Sequence, residues 1–128
     1  MIITSNKITK RLQDIWPLLQ QIWCFDQEYL CPSLKDIETF VGQYNIHIDD
    51  IKAEHPDCDD FALQLHAKVK LHYNWAFGEA FGNKFSGWSV LHSLNIAICQ
   101  EGVYLIDAKP GTIRLVDKNV DNVLWVRI

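Results

Sequence analysis

Apolar positions recur along this chain with two periods, and the change between them falls near Tyr73. In the first half, Ile8, Leu12, Ile15, Trp16 and Leu19 are spaced at three- and four-residue steps, which predicts an amphipathic helix capped by Ser5 or Asn6. Pro17 lies inside that row and predicts a kink or a restart, with Asp14 as a second cap. Ile2 and Ile3 predict a short edge strand. Ser33, with Asp36 following at capping-box spacing, opens a second helix that carries Ile37, Phe40, Val41 and Tyr44 on one face. Residues 45–51 read as a linker or short extended piece. A third helix opens at Cys58 behind His55-Pro56-Asp57, its apolar face formed by Phe61, Ala62, Leu65, Val69 and Tyr73.

Beyond Tyr73, glycines (Gly78, Gly82, Gly87) and aromatics (Trp75, Phe77, Phe81, Phe85, Trp88) read as a loop. From Ser89 to Cys99 the residues alternate. Leu91, Ser93, Asn95, Ala97 and Cys99 share one face of a strand; Val90, His92, Leu94, Ile96 and Ile98 share the other. A turn at Gln100-Glu101-Gly102 returns the chain through Val103 to Asp107, and Lys109-Pro110-Gly111 turns it again into Thr112 to Val116. Val123 to Ile128 makes a last strand. Helices first and an antiparallel meander second predict an α+β fold, with N-terminal helices packed on a C-terminal antiparallel sheet. No repeat or low-complexity tract divides it, so one domain is expected over residues 1–128.

Composition narrows the partners. With 128 residues, 48% of them hydrophobic, the chain can bury one substantial core. A net charge of −4 without a Lys/Arg cluster argues against nucleic acid or an anionic membrane as main partner. No run approaches the ~18 apolar residues of a membrane span. Met1 to Lys7 has no basic stretch leading into an apolar one, so a cytoplasmic location is expected, with Cys24, Cys31, Cys58 and Cys99 as reduced thiols.

Candidate chemistry centres on Cys58. A thiol at a helix N-terminus meets unpaired N–H groups and the positive end of the helix dipole, both of which favour thiolate. His92 opens one strand and Asp107 closes the next, a layout suited to a thiol nucleophile, its base and an orienting acid. Asp57, Asp59 and Asp60 work against it, since neighbouring negative charge disfavours a thiolate. Each residue also has a plainer reading: Cys58 as core, His92 as a hydrogen-bonded core histidine, Asp107 as a turn residue. Trp75 and Trp88 are candidate groove walls or core rings. His66 and His72 are wrongly spaced for a shared metal face and read as surface residues, and Cys24 and Cys31 lack zinc-site spacing.

Three blocks carry a resemblance. Asp57-Cys58-Asp59-Asp60-Phe61-Ala62, His92-Ser93-Leu94-Asn95 and Tyr104-Leu105-Ile106-Asp107-Ala108 resemble the Cys, His and acid blocks of papain-like thiol enzymes. The likeness is nearest to the transglutaminase-like branch and to the protease-like C-terminal domain of certain fungal agglutinins. Tyr29-Leu30-Cys31-Pro32-Ser33 also resembles small bacterial and phage relatives, so the resemblance runs from Tyr29 to Gly111. It implies a peptidase or amidase, or an acyl transferase, with Cys58 as nucleophile, His92 as base and Asp107 holding the imidazole. A peptide or protein substrate would enter between Trp75 and Trp88, and no cofactor is required. The agglutinin-like relatives are calcium-dependent, which adds a Ca²⁺ site at Asp59 or Asp60 to the expectations. Those relatives carry a glutamate followed by Pro-Gln where this chain has Asp107-Ala108-Lys109-Pro110. The alternatives are a catalytically inactive papain-like interaction or structural module, of phage or mobile-element origin, and an immunity or inhibitor protein, for which only the acidic charge speaks.

Overall fold

Residues 1–44, 57–85 and 91–128 are described by the computed structural model. Strand β1 (Ile2–Thr4) runs into helix α1 (Ser5–Ile15), followed by β2 (Gln21–Trp23), β3 (Glu28–Leu30), α2 (Leu34–Gln43) and α3 (Cys58–His72). Then come β4 (Phe77–Lys84), β5 (His92–Ile98), β6 (Val103–Asp107), β7 (Thr112–Leu115) and β8 (Asn122–Arg127). β1 and β3 form a two-stranded sheet, and the other six strands form one sheet in the order β2-β8-β4-β5-β6-β7.

The expected α+β layout of N-terminal helices on a C-terminal antiparallel sheet is corrected: strands dominate, eight of them in two sheets, beside three short helices among the described residues. The expected strand at Ile2 and Ile3 is present as β1, two further strands, β2 and β3, lie in the half read as helical, and β2 joins the large sheet parallel to β8, pairing Gln21 with Trp125 and Trp23 with Arg127. The sheet is therefore mixed, and its β2 edge comes from early in the chain. The stretch read as a glycine-rich loop is β4, the central strand, paired antiparallel with both β5 and β8. Its glycines are there for closeness. A Cβ on Gly78 would collide with the Arg127 carbonyl oxygen, and one on Gly82 with that of Asn122. Small residues let the β4 backbone lie against β8, which composition alone cannot distinguish from a loop.

Helix ends follow from local chemistry. Thr4, rather than Ser5 or Asn6, caps α1, accepting a bond from the Lys7 N–H, and the helix stops at Ile15 with Pro17 just outside it. Ser33 and Asp36 form the expected capping box at α2: Ser33 Oγ accepts from the Asp36 N–H at 3.1 Å, and Asp36 Oδ2 accepts from the Ser33 N–H at 2.9 Å. Asp36 is held below the usual carboxylate range by those two Ser33 bonds. At α3 the Asp57 N–H donates to Asp60 Oδ2 at 3.1 Å.

The alternation along β5 distributes the core to both sides of the large sheet. Leu94, Ile96 and Ile98 pack with Ile8, Leu12 and Trp16 of the α1 region. Ala97 and Cys99 pack with Ile37 of α2 and with Leu65 and Val69 of α3. Asn95, fully buried, donates from Nδ2 to the Ala62 carbonyl at 2.8 Å and to the Gly78 carbonyl at 3.0 Å. It thereby fastens α3 to the sheet.

Candidate functional site

The fold brings the first turn of α3 over one end of β5 and β6. Cys58, His92, Ser93 and Asp107 share a cleft of about 170 Å³ with Phe61 and Lys109. Lys109 reaches over the Phe61 ring, its Nζ 5.0 Å from the ring centre, and forms one wall. His92 Nε2 lies 4.0 Å from Asp107 Oδ2, outside hydrogen-bond range but close enough for charges to interact. The Phe85 ring meets His92 edge-on at 6.1 Å, fixing the imidazole plane from the other side. All three residues singled out by spacing thus line one cleft.

Negative charge gathers beside the Cys58 sulfur. The ligating atoms of Asp57, Cys58 and Asp59 lie within 4.8 Å of one another. Asp57 is raised above the ordinary carboxylate range, first by a hydrogen bond shared with Asp59, then by desolvation and the charges of Asp59 and Asp60. Carboxylates beside a sulfur supply negative charge where a nucleophile needs positive. The cluster also fits calcium poorly. Ca²⁺ takes six to eight oxygens, and among the described residues Asp60 Oδ2 is bound to the Asp57 N–H while a thiol fills the third position.

Trp75, read as a groove wall, is buried to 8% exposure, stacks on Tyr73 at 4.0 Å and meets Phe40 edge-on. It is a core ring, placed by the apolar space between α2 and the sheet. Trp88 lies outside the described residues.

The aromatic wall lies elsewhere and was missed from sequence. Helix α3 packs on β5 and β4, and among the described residues the β2-β8-β4 side beyond its edge is uncovered. Trp23, Phe25, Phe81 and Trp125 line a pocket of about 310 Å³ there, together with Glu79 and Arg127. Trp125 stacks on Phe81 with ring centres 4.8 Å apart and planes 21° apart. Gln20 Oε1 accepts the Trp125 indole N–H at 3.3 Å, which orients that ring. Phe25 is 74% exposed, Trp23 45% and Trp125 41%, so three large rings face solvent together. Arg127 donates to both oxygens of Glu79, from Nη2 at 2.8 Å and from Nε at 3.0 Å. His66 Nδ1 meets Glu79 Oε2 at 2.7 Å from the α3 side. Burial acts to raise Glu79, but the His66 and Arg127 bonds outweigh it and hold the carboxyl below its ordinary range. Ser93 lines both this pocket and the Cys58 cleft, so the two are neighbours on one face.

His66, read as a surface residue, is buried. The signal was present: Ala62, Leu65, His66 and Val69 fall on one helical stripe. The aromatic strip gave no such signal, because its rings come from three strands and the bend after β2, which lie far apart in sequence.

No protein-family model matches the chain, and no curated protein sequence matches it. Solved structures do. A complex of PSL1a with E64 superposes with a TM-score of 0.71 at 18% identity, over 99% of this chain and 50% of that one. Polyporus squamosus lectin bound to the human-type influenza-binding epitope Neu5Aca2-6Galb1-4GlcNAc gives 0.65 at 19% identity, over 99% of this chain and 49% of that one. The chain therefore spans about half the length of the solved chains it matches, and at these identities the likeness is one of fold.

These neighbours correct the functional expectations drawn from the three sequence blocks. The matched structures are of a lectin rather than of a papain-like or transglutaminase-like enzyme, and one holds a sialylated glycan rather than a peptide. The peptidase, amidase and acyl-transferase readings go, with the peptide or protein substrate, and the non-catalytic module loses its papain-like label. The physical reason is that the blocks are short. Their spacing is what a helix, a strand and a hairpin return produce, while the carboxylates around Cys58 serve the helix end. No helix among the described residues is long and apolar enough to cross a membrane.

Proposed function

We propose that this chain is a non-enzymatic carbohydrate-binding module whose ligand lies on the open β2-β8-β4 face. The observation that carries this is the aromatic strip: Trp23, Phe25 and Trp125 present solvent-facing rings around the Glu79–Arg127 pair. A sugar ring offers an apolar C–H face and an edge of hydroxyls. Flat aromatic surface suits the first, and a fixed carboxylate–guanidinium pair, with acceptors and donors side by side, suits the second. The lectin whose complex holds a glycan is matched in fold over about half of its chain. Cys58, His92 and Asp107 form the polar end of this site, reached past Ser93, where they orient hydroxyl groups.

Calorimetric titration with the free disaccharide Galβ1-4GlcNAc and with its sialylated form tests the reading. Binding of either is expected, weakened about tenfold by Trp125→Ala, the scale of one lost aromatic contact. Absence of binding to both overturns it. So does turnover of a peptide amide that disappears in Cys58→Ser.

A further inference from the structure

We propose that β2 is the contact through which two copies of this chain associate, its open edge pairing antiparallel with β2 of a second copy about a two-fold axis at Ile22. The inference stands on the sheet edge and is independent of the carbohydrate reading. β2 ends the six-stranded sheet, and among the described residues no strand pairs with its outer side. The Trp23 carbonyl accepts the Ile128 N–H at 2.8 Å, and the Phe25 N–H donates to the Ile128 carbonyl at 3.4 Å, so both residues turn these groups to β8. Backbone groups of successive residues alternate between the two edges of a strand. The N–H and carbonyl of Ile22 therefore face outward, where a further strand would meet them.

The side chains say what fits there. From Pro17 to Phe25 the sequence holds no charged residue, and none of residues 17–28 is buried. Exposed sheet edges are ordinarily guarded by charge or proline. The opposite edge, β7, carries Arg114, whereas Gln21-Ile22-Trp23 carries neither guard. A chain with a net charge of −4 repels its own copies, so the surface suited to a copy is an uncharged one. An antiparallel register about Ile22 is also self-complementary. The two Ile22 residues exchange a pair of backbone bonds, Gln21 of one copy stands opposite Trp23 of the other, and Leu19 stands opposite Phe25. Asp26, the first charge beyond the stretch, falls opposite Leu18 rather than another acid. Leu18, 84% exposed, together with Trp23 and Phe25 leaves roughly 400 Å² of apolar surface in water per copy. That is half of the ~800 Å² per partner of an ordinary specific interface, and the strand backbone and glutamines supply the remainder. The Phe81–Trp125 stack lies on the strands behind and stays outside the contact.

Sedimentation velocity on the intact chain, over a range of concentrations, is the test. A dimer that dissociates at about micromolar concentration is expected. Phe25→Lys should weaken it about tenfold or more, while Leu115→Lys, at an exposed position on the β7 edge, should leave it unchanged. Backbone hydrogen exchange gives a readout that needs no variant: the Ile22 N–H should slow as concentration rises through the dimer range. A monomer at every concentration overturns the proposal, as does an assembly larger than a dimer. So does a dimer lost in Leu115→Lys and kept in Phe25→Lys, or an Ile22 N–H whose exchange is independent of concentration.

Discussion

His66 Nδ1 sits 2.7 Å from Glu79 Oε2, a bond from a buried helix side chain to a carboxylate that Arg127 grips from the next strand. This contact joins α3 to the β4-β8 pair, and it makes stability depend on pH. Glu79 is held below its ordinary value of 4.5 in the folded chain, so the unfolded chain takes up the proton first. The stabilisation is complete above the ordinary value and is lost as pH falls through the folded one. Glu79→Gln is expected to cost about 1–3 kcal/mol near neutral pH, with the gap to wild type shrinking below about pH 4. Urea denaturation at a series of pH values measures it, and a constant gap across that range would contradict this account.

Replacing Asn95 should be costly. Its Nδ2 serves the carbonyls of Ala62 and Gly78 at once, in a place without water access. Asn95→Leu, with the same branching but two bulkier methyls, leaves both carbonyls short of that donor and is expected to lower stability by about 2–4 kcal/mol. Asn95→Asp places a charge facing two carbonyl oxygens and should be worse. Thermal melts of the two variants give the order.

Gly78→Ala tests how closely β4 approaches β8. The added methyl has backbone as its obstacle, the Arg127 carbonyl, and backbone cannot rotate aside. Loss of the β4-β8 register is expected, with destabilisation above about 4 kcal/mol, among the larger effects of single substitutions. Gly42→Ala, where nothing lies within 4 Å of the new atom, is the control and should be neutral or slightly stabilising.

Thiol labelling orders the four cysteines. Burial pushes Cys99 up to about 12, helped by the charge of Glu101, and burial also raises Cys31 and Cys24. Cys58, half-buried at the opening of α3, should be the first to react with a disulfide reagent at pH 8, and that phase should vanish in Cys58→Ser. Because Asp57 and Asp59 stand beside it, its rate should not exceed that of a free thiol. A rate far above that would show that the carboxylates exert no restraint.

Much of the local structure was legible because its causes are local. The Ser33-Asp36 capping box, the stop before Pro17, the α3 stripe and the β5-β6 hairpin each rest on residues within a few positions of one another. What escaped depends on distant partners. β2 is three residues long and has no pattern of its own; it exists because β8 offers an edge. β4 reads as a loop until the backbone that its glycines admit is in view. The Cys58, His92 and Asp107 cleft could be assembled from spacing along a helix and a hairpin. The aromatic strip could not, since Trp23 and Trp125 become neighbours only through a parallel pairing that no spacing announces.

That parallel pairing also bears on how the chain reaches its native state. Contacts between β2 and β8 join segments separated by nearly the whole sequence, so their loop-closure entropy is met late, after the β4-β5-β6 meander has formed from nearby strands. Trp23 is delivered to Trp125 and Phe81 only at that final docking. A partly folded chain can hold its helices and its central hairpins yet lack a complete strip, so ligand capture reports completion of folding rather than mere collapse.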